Sequence, residues 1–211
     1  MSVGRALVAL TCVASQLGAQ RLHPAAAASV VTARVRSTTG TYSGTAFLGE
    51  GSLALGRFSL DVSYLQGTLN PAPNPSSATP GTSRDLIEGA ALVGLRPTAW
   101  LTLATGPHAR AYALGSGTQR WLFWELRARA ATAFVGSAVR GYVELWRALS
   151  ADANVPEPFD HAQGGEAGMI LRLAHAPLAA RVGYRIDHAV LGGGSRLETV
   201  DGMVIGAGLS F

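Results

Sequence analysis

Long apolar runs are missing from this chain beyond its first 20 residues, although 48% of its 211 residues are apolar. A membrane-spanning helix needs about 20 consecutive apolar residues, so the sequence excludes a helical membrane protein. Charged residues are also scarce, at 14%, where a soluble domain usually carries about 25%. Low charge combined with 26 glycines favours a sheet with tight turns, and it fits a lipid-exposed surface better than a watery one.

Lysine is absent, and all 17 basic residues are arginine. A solvated surface normally mixes lysine with glutamate, so this absence argues against a large solvated surface, although genomic base composition explains it equally well. The net charge of +4 is small and dispersed. No basic run with interleaved aromatic residues is present, so the sequence gives no indication of nucleic-acid binding.

The first 19 residues have the pattern of a secretory signal peptide. Arg5 supplies the positive start, an apolar stretch runs from Ala6 to Ser15, and Ala19 offers a small residue for cleavage. The single cysteine, Cys12, lies inside this segment. We therefore expect a mature chain of residues 20–211 with neither disulfides nor thiolate metal sites.

Apolar and polar residues alternate along most of the remaining chain. In one segment Phe58, Leu60, Val62 and Tyr64 share one parity, whereas the residues between them, including Asp61, are polar. Successive side chains of a strand point to opposite faces, so the pattern predicts sheets with one apolar and one charged face. A soluble sandwich buries the apolar face, whereas a membrane barrel turns it outward to lipid and the charged face inward.

We predict ten strands, over residues 27–37, 41–49, 53–65, 85–95, 100–112, 121–133, 139–148, 165–174, 179–189 and 198–211. The connections alternate between short turns and a set that includes the long segments 66–84 and 148–164. This alternation is typical of an up-and-down antiparallel barrel with external loops. Pro107 interrupts the fifth strand, where a bulge would invert the phase of His108, Arg110 and Tyr112. A barrel of eight strands is the structural alternative.

The alternation also assigns residues to faces. The outward set at the start of the chain is Val31, Ala33, Val35, Tyr42, Gly44, Ala46 and Leu48. The charges predicted to point into the lumen are Arg34, Arg36, Arg57, Asp61, Glu88, Arg110, Glu125, Arg127, Arg129, Arg140, Glu144, Glu166, Arg172, Arg181, Arg185 and Asp187. Three charges break the parity, namely Asp85, Arg147 and Asp201. All three lie near predicted strand ends, where headgroups and water tolerate them.

The last predicted strand alternates large and small residues from Met203 and stops at a C-terminal Phe211. This segment resembles the terminal strand of small bacterial outer-membrane β-barrel proteins, whose final aromatic residue is recognised by the barrel-assembly machinery. The signal-like start and the hairpin rhythm extend the resemblance over the whole chain. It implies export, contact with outer-membrane lipid and a location in the bacterial outer membrane, but no particular activity.

The inward charges support several hypotheses about function. We expect a monomeric structural or surface-interaction scaffold in which ion pairs fill a narrow lumen, because charged groups inside a small barrel must pair or hold water. A narrow anion-preferring pore is the first alternative, since arginine is in excess. An enzyme acting on lipid or peptide is the second, with His108, Asp160–His161 or Asp187–His188 as candidates. A secreted barrel carrying a small apolar ligand is the third. The five histidines show no metal-ligand spacing, and we expect no cofactor.

Overall fold

Ten antiparallel strands close into a barrel. The computed structural model describes residues 22–38, 40–72, 82–115, 117–136, 138–173 and 176–210. The strands are β1 (Leu22–Ser37), β2 (Gly40–Leu55), β3 (Phe58–Pro71), β4 (Arg84–Leu95), β5 (Leu101–Leu114), β6 (Gly117–Val135), β7 (Val139–Ala153), β8 (Phe159–Arg172), β9 (Leu178–Leu191) and β10 (Arg196–Ser210). Each strand pairs with its neighbours in chain order, and β1 also pairs with β10. The predicted ten-stranded up-and-down antiparallel barrel is therefore confirmed.

The predicted signal peptide, Phe211 and residues 73–81 of the first long connection lie outside the described residues. In the described ranges, no helix is long and apolar enough to cross a membrane.

The connections alternate between the two ends of the barrel, and the predicted long segment 148–164 is reduced to 154–158 because β7 and β8 extend beyond their predicted ends. The end that we call the loop end carries the connections at 38–39, 72–83, 115–116, 154–158 and 192–195. The opposite end, which we call the turn end, carries those at 56–57, 96–100, 136–138 and 173–177. β1 begins and β10 finishes at the turn end. Both the described N-terminal residue and the described C-terminal residue therefore lie beside the turns.

The outer wall of the barrel is apolar. On β3 the side chains of Phe58, Leu60, Val62 and Tyr64 are all about half exposed, and Phe47 on β2 is 68% exposed. Most other strands also carry exposed large apolar side chains, among them Val30, Val93, Leu103, Leu122, Trp124, Leu126, Val143, Leu145, Met169, Leu171, Ile186, Met203 and Ile205. Soluble monomers rarely expose contiguous apolar patches beyond a few hundred Å², and a wall with this many exposed apolar side chains is unusual for such a protein.

The first two strands have the opposite orientation to the predicted one. Val31, Ala33 and Val35 of β1 are buried inside the barrel, and so are Ala46 and Leu48 of β2. Tyr42 packs against the same interior group of residues, and Gly44 shares its parity. The prediction failed because apolar side chains fill the lumen near the loop end, so that apolar residues occur on both faces of these strands. Arg34 and Arg36 consequently point outward.

The turn between β2 and β3 lies six residues later than predicted. The sequence suggested a turn at Glu50–Gly51, but β2 continues to Leu55 and the chain reverses at Gly56 and Arg57. Gly56 has a φ of 59°, a left-handed conformation that glycine adopts without a steric penalty. Arg57 is therefore an exposed turn residue and not part of the lumen, whereas Glu50 lies within β2.

Pro107 does not interrupt β5. The register with β6 is continuous across it, and Pro107 lies opposite Trp124. Towards β4, the pairs Ala90–His108 and Val93–Thr105 keep one register on either side of the proline. His108, Arg110 and Tyr112 are all buried inside the barrel, so the bulge considered from the sequence does not occur.

Candidate functional site

Two apolar clusters occupy the lumen towards the loop end. The first draws on β1 to β5 and β10, and it consists of Val31, Ala33, Val35, Ala46, Leu48, Leu65, Leu69, Leu86, Tyr112, Val200 and Val204. The second draws on β6 to β9, and it consists of Trp121, Phe123, Trp146, Ala148, Ala162, Ala189 and Leu191. Together they fill this part of the barrel with buried apolar side chains.

A layer of ion pairs crosses the lumen next to these clusters. Glu88 lies on β4 and Arg185 on β9, five strands apart in either direction around the barrel. Nevertheless Arg185 Nη2 donates to Glu88 Oε2 at 2.7 Å, so this pair spans the full width of the lumen. Arg185 also donates to Asp187 on its own strand, from Nε at 2.8 Å. Glu88 is 4% exposed and Asp187 1% exposed, so both carboxylates are largely shielded from water.

Arg110 joins the acids of this layer from β5. Its Nε donates to Glu88 Oε1 at 2.5 Å, and its Nη2 donates to Asp187 Oδ2 at 2.8 Å. Its Nη1 lies 3.7 Å from Glu198 Oε1 on β10, directly across the barrel. The planar guanidinium suits this position because its donors point in several fixed directions. A single buried arginine thereby connects three carboxylates from three different strands.

Two uncharged donors complete the layer. Tyr112 donates its hydroxyl to Glu198 Oε1 at 2.7 Å across the barrel. Trp146 donates Nε1–H to Asp187 Oδ1 at 2.7 Å. The space for Trp146 depends on Gly164, where a Cβ atom would lie 2.2 Å from Asp187 Oδ1 and 2.5 Å from Trp146 Nε1. Glycine at position 164 is therefore required by close approach within the lumen.

A second chain of charges runs along β5, β6 and β7. His108 Nδ1 lies 3.0 Å from Glu125 Oε2, and Arg127 donates to Glu125 Oε1 from Nη2 at 2.6 Å. Arg127 also donates from Nη1 to Glu144 Oε1 at 2.9 Å. His108 Nε2 lies 3.9 Å from Glu88 Oε2, which connects this chain to the crossing layer. Because Glu125 is fully buried, its charge is balanced within the protein.

Between the crossing layer and the turn end, the lumen contains a cavity of about 650 Å³. Arg96, Ala99 and Trp100 of the β4–β5 connection contribute to its lining, so the cavity reaches the turn end. Arg181 reaches from β9 to Glu50 on β2, with Nη2 2.7 Å from Glu50 Oε2.

Arginine is in excess near the mouth of this cavity. Three arginines of the lining, Arg96, Arg140 and Arg172, have no carboxylate within 4.0 Å in the part of the chain that the structure describes. Arg129 lies 3.8 Å from Glu144 and stacks over Tyr142. The cavity thus joins a layer of three carboxylates and two arginines at its closed end to an opening with unpaired arginines.

Most of the residues predicted for the lumen charge network do line it. Those that belong to the cavity lining, the crossing layer or the second chain of charges are Asp61, Glu88, Arg110, Glu125, Arg127, Arg129, Arg140, Glu144, Glu166, Arg172, Arg181, Arg185 and Asp187. Asp61 accepts a hydrogen bond from Ser59 at 2.7 Å, and Tyr142 donates to Glu166. Arg57, Arg34 and Arg36 lie elsewhere, as described above. The predicted assembly signal, Phe211, lies outside the described residues.

The histidine candidates are not gathered into one site. Asp187 faces the lumen, whereas His188 faces outward and its Nδ1 lies 3.1 Å from Thr199 Oγ1. Asp160 accepts the backbone N–H of Gly193 at 2.7 Å, and the ring of His161 lies beside that of His188. Within the described residues, no three His, Cys, Asp or Glu side chains are placed to hold a metal ion.

The sequence reasoning missed Glu198, Glu50 and the donor role of Tyr112. Glu198 has the inward parity of β10, opposite to Met203 and Ile205, so the alternation contained the necessary signal. Glu50 was hidden by the misplaced turn. That Tyr112 meets Glu198 could not be predicted from alternation, because the two residues lie on opposite strands and alternation carries no information across the barrel.

Comparisons with known proteins agree on the fold. No family model matches the chain, and no curated protein matches it. Among solved structures, the outer-membrane protease OmpT from Escherichia coli is similar with a TM-score of 0.60 at 8% identity, over 92% of this chain and 97% of that one. An outer-membrane channel from Pseudomonas putida F1 has a TM-score of 0.50 at 11% identity, over 90% of this chain and 95% of that one. The resemblance to bacterial outer-membrane barrels is thus confirmed at the level of fold.

Proposed function

We propose that this chain is a monomeric bacterial outer-membrane protein that serves as a structural or surface-interaction scaffold with a closed, charge-filled lumen. The observation that carries the proposal is the pair of Glu88 and Arg185, which meets across the barrel axis between a layer of apolar side chains and a dead-end cavity. A barrel closed in this way offers its loops and its wall, rather than its interior, for interaction.

The membrane location is supported by the outer wall. Exposed leucine, valine and aromatic side chains surround the barrel, and burying apolar area stabilises by roughly 25 cal/mol per Å². A hydrocarbon layer supplies that burial, and the closed ring of hydrogen-bonded strands leaves no open edge within it. In water these apolar side chains would remain exposed to solvent, and this stabilisation would be lost.

The orientation follows from the two ends. In outer-membrane barrels the short turns lie in the periplasm and the longer loops lie outside. By this rule the turn end, with its cavity, faces the periplasm, because the longest connection, at 72–83, belongs to the loop end. Export through the predicted signal peptide and assembly through Phe211 are part of the same proposal.

Ion conductance tests the closed lumen. The refolded protein is added to a planar bilayer, and insertion is checked by heat-modifiable migration of the same preparation on a gel. We expect no steady current, because buried side chains fill the lumen. A steady anion-selective current that weakens in Arg127→Ala or Arg129→Ala would instead support the pore. Activity on lipid or peptide that is lost in His108→Ala or His161→Ala would support the enzyme.

A further inference from the structure

A charged cluster lies on the outer wall of the barrel, where apolar residues otherwise predominate. Asp201 of β10 accepts hydrogen bonds from Arg34 of β1, at 3.2 Å from Nε and 2.7 Å from Nη2. It accepts another from Arg36 Nη2 at 3.1 Å and one from the Tyr184 hydroxyl of β9 at 2.5 Å. We call these four residues the wall cluster. A carboxylate held by so many donors on the outside of a barrel fixes the two arginines in place.

The wall cluster has an excess of positive charge and unused donors. Two guanidinium groups share one carboxylate, so the wall cluster has a net charge of +1. Asp201 is only 3% exposed because its partners cover it, whereas the arginine side chains remain 50% and 49% exposed. Among the described residues, Arg34 Nη1 and the Nε and Nη1 groups of Arg36 have no acceptor. Charged N–H groups at this exposure require either water or an anion.

The position of the wall cluster determines whether water or an anion is available to these N–H groups. On the outer face of β1, going towards the loop end, the exposed Val30 is followed by Thr32 and then by Arg34 and Arg36. On the outer face of β10, going in the same direction, the exposed Ile205 and Met203 are followed by Asp201. The cluster therefore lies near the loop-end border of the apolar wall, with Leu197 exposed beyond it on β10. An arginine facing lipid costs about 2–4 kcal/mol at the bilayer midplane but roughly 0–1 near the interface. This border is the level of lipid headgroups.

We propose that Arg34 and Arg36 bind the phosphate group of a membrane lipid in the loop-side leaflet. Guanidinium groups bind phosphate through paired N–H donors. An open recess lined by Arg34, Asp201, Tyr184, Thr32, Ser43 and Met203 gives room for the headgroup, and Arg36 borders it through its hydrogen bond to Asp201. A phosphate monoester is favoured over a diester because it carries more charge and one more terminal oxygen. Asp201 is a positioning residue. The inference rests on the proposed insertion into a membrane.

Native mass spectrometry of the protein extracted from vesicles tests this inference. The vesicles contain phosphatidylcholine alone, or with added phosphatidic acid, a monoester, or with added phosphatidylglycerol, an anionic diester. We expect the wild type to retain phosphatidic acid about tenfold more strongly than phosphatidylcholine, with phosphatidylglycerol between them. The double variant Arg34→Gln/Arg36→Gln is expected to lose this preference. The control Arg147→Gln removes another exposed arginine of the wall and is expected to keep it.

The outcomes separate the possibilities. Equal retention of phosphatidic acid by the double variant and the wild type overturns the inference, and so does displacement of the lipid by inorganic phosphate, which would indicate a site for free anions. If the double variant does not fold because Asp201 is left without its arginines, Arg34→Gln/Arg36→Gln/Asp201→Asn removes all three charges together. A wild type that inserts into no vesicle contradicts the proposed function itself, whereas insertion without lipid preference contradicts this inference alone.

Discussion

Glu88 and Arg185 lie on strands that face each other across the barrel axis, and their side chains meet at 2.7 Å. The two side chains together therefore span the lumen from one wall to the opposite wall. Arg110 bonds to the same Glu88 from the other side, so that one buried carboxylate connects three strands. Such a layer closes the barrel and also ties its opposite walls together.

Replacement of Glu88 tests the energetic role of the crossing layer. Glu88→Gln leaves Arg110 and Arg185 with one acid fewer in a buried site, and loss of one partner from a buried ion pair costs about 3–5 kcal/mol. We expect the free energy of unfolding in urea, measured by tryptophan fluorescence in vesicles, to fall by this amount. Asp61→Asn is the control, because Asp61 has no arginine within 4.0 Å among the described residues. Equal losses in both variants would argue against the layer.

The hydrogen bond between Tyr112 and Glu198 is expected to stabilise the barrel. Tyr112→Phe removes the only hydroxyl that bonds Glu198 across the lumen in the described structure, and losing a hydrogen bond to a charged group costs about 1.5–3 kcal/mol. Tyr64→Phe removes a comparable bond to Gln66 on the exposed wall and serves as the reference. If the two variants unfold at the same urea concentration, the buried hydrogen bond stabilises the barrel no more than the exposed one does.

Gly164 is expected to tolerate no side chain. A Cβ atom there would meet Asp187 Oδ1 and Trp146 Nε1 well inside contact distance, so Gly164→Ala must displace the Trp146–Asp187 hydrogen bond. Overpacking of this kind costs about 1–3 kcal/mol, which should lower the temperature of heat-modifiable migration. At Gly89 the nearest atom to a Cβ lies 3.8 Å away, so Gly89→Ala should migrate like the wild type. The idea fails if Gly164→Ala is as stable as Gly89→Ala.

Alternation predicted the barrel well where one face is apolar and the other is charged. The segment of β3 from Phe58 to Tyr64 is such a case, and its outward residues are those expected from the sequence. Lumen residues of β6, such as Arg127 and Arg129, followed from the same rule. Strand number was also predictable, because turns and alternating segments recur along the chain.

The rule failed where both faces of a strand carry apolar residues. In β1 and β2 the lumen contains Val35 and Leu48 while the wall contains Val30 and Phe47, so polarity does not distinguish inside from outside. Arg34 and Arg36 were therefore assigned to the lumen. Their true environment depends on Asp201, which is 167 residues from Arg34 in sequence. Contacts that depend on barrel closure, including Glu88–Arg185, cannot be predicted from the periodicity of single strands.

The most direct test of the central claim is the environment of the two faces of β3. Single cysteines replace Leu60, Asp61, Val62 and Ser63 in a Cys12→Ser background, each carries a nitroxide label, and the collision of each label with oxygen and with a water-soluble nickel complex is measured in vesicles. We predict high oxygen and low nickel accessibility at positions 60 and 62, and the reverse order at 61 and 63, which face the cavity. High nickel accessibility at positions 60 and 62 would show that water covers the wall, and would contradict the account.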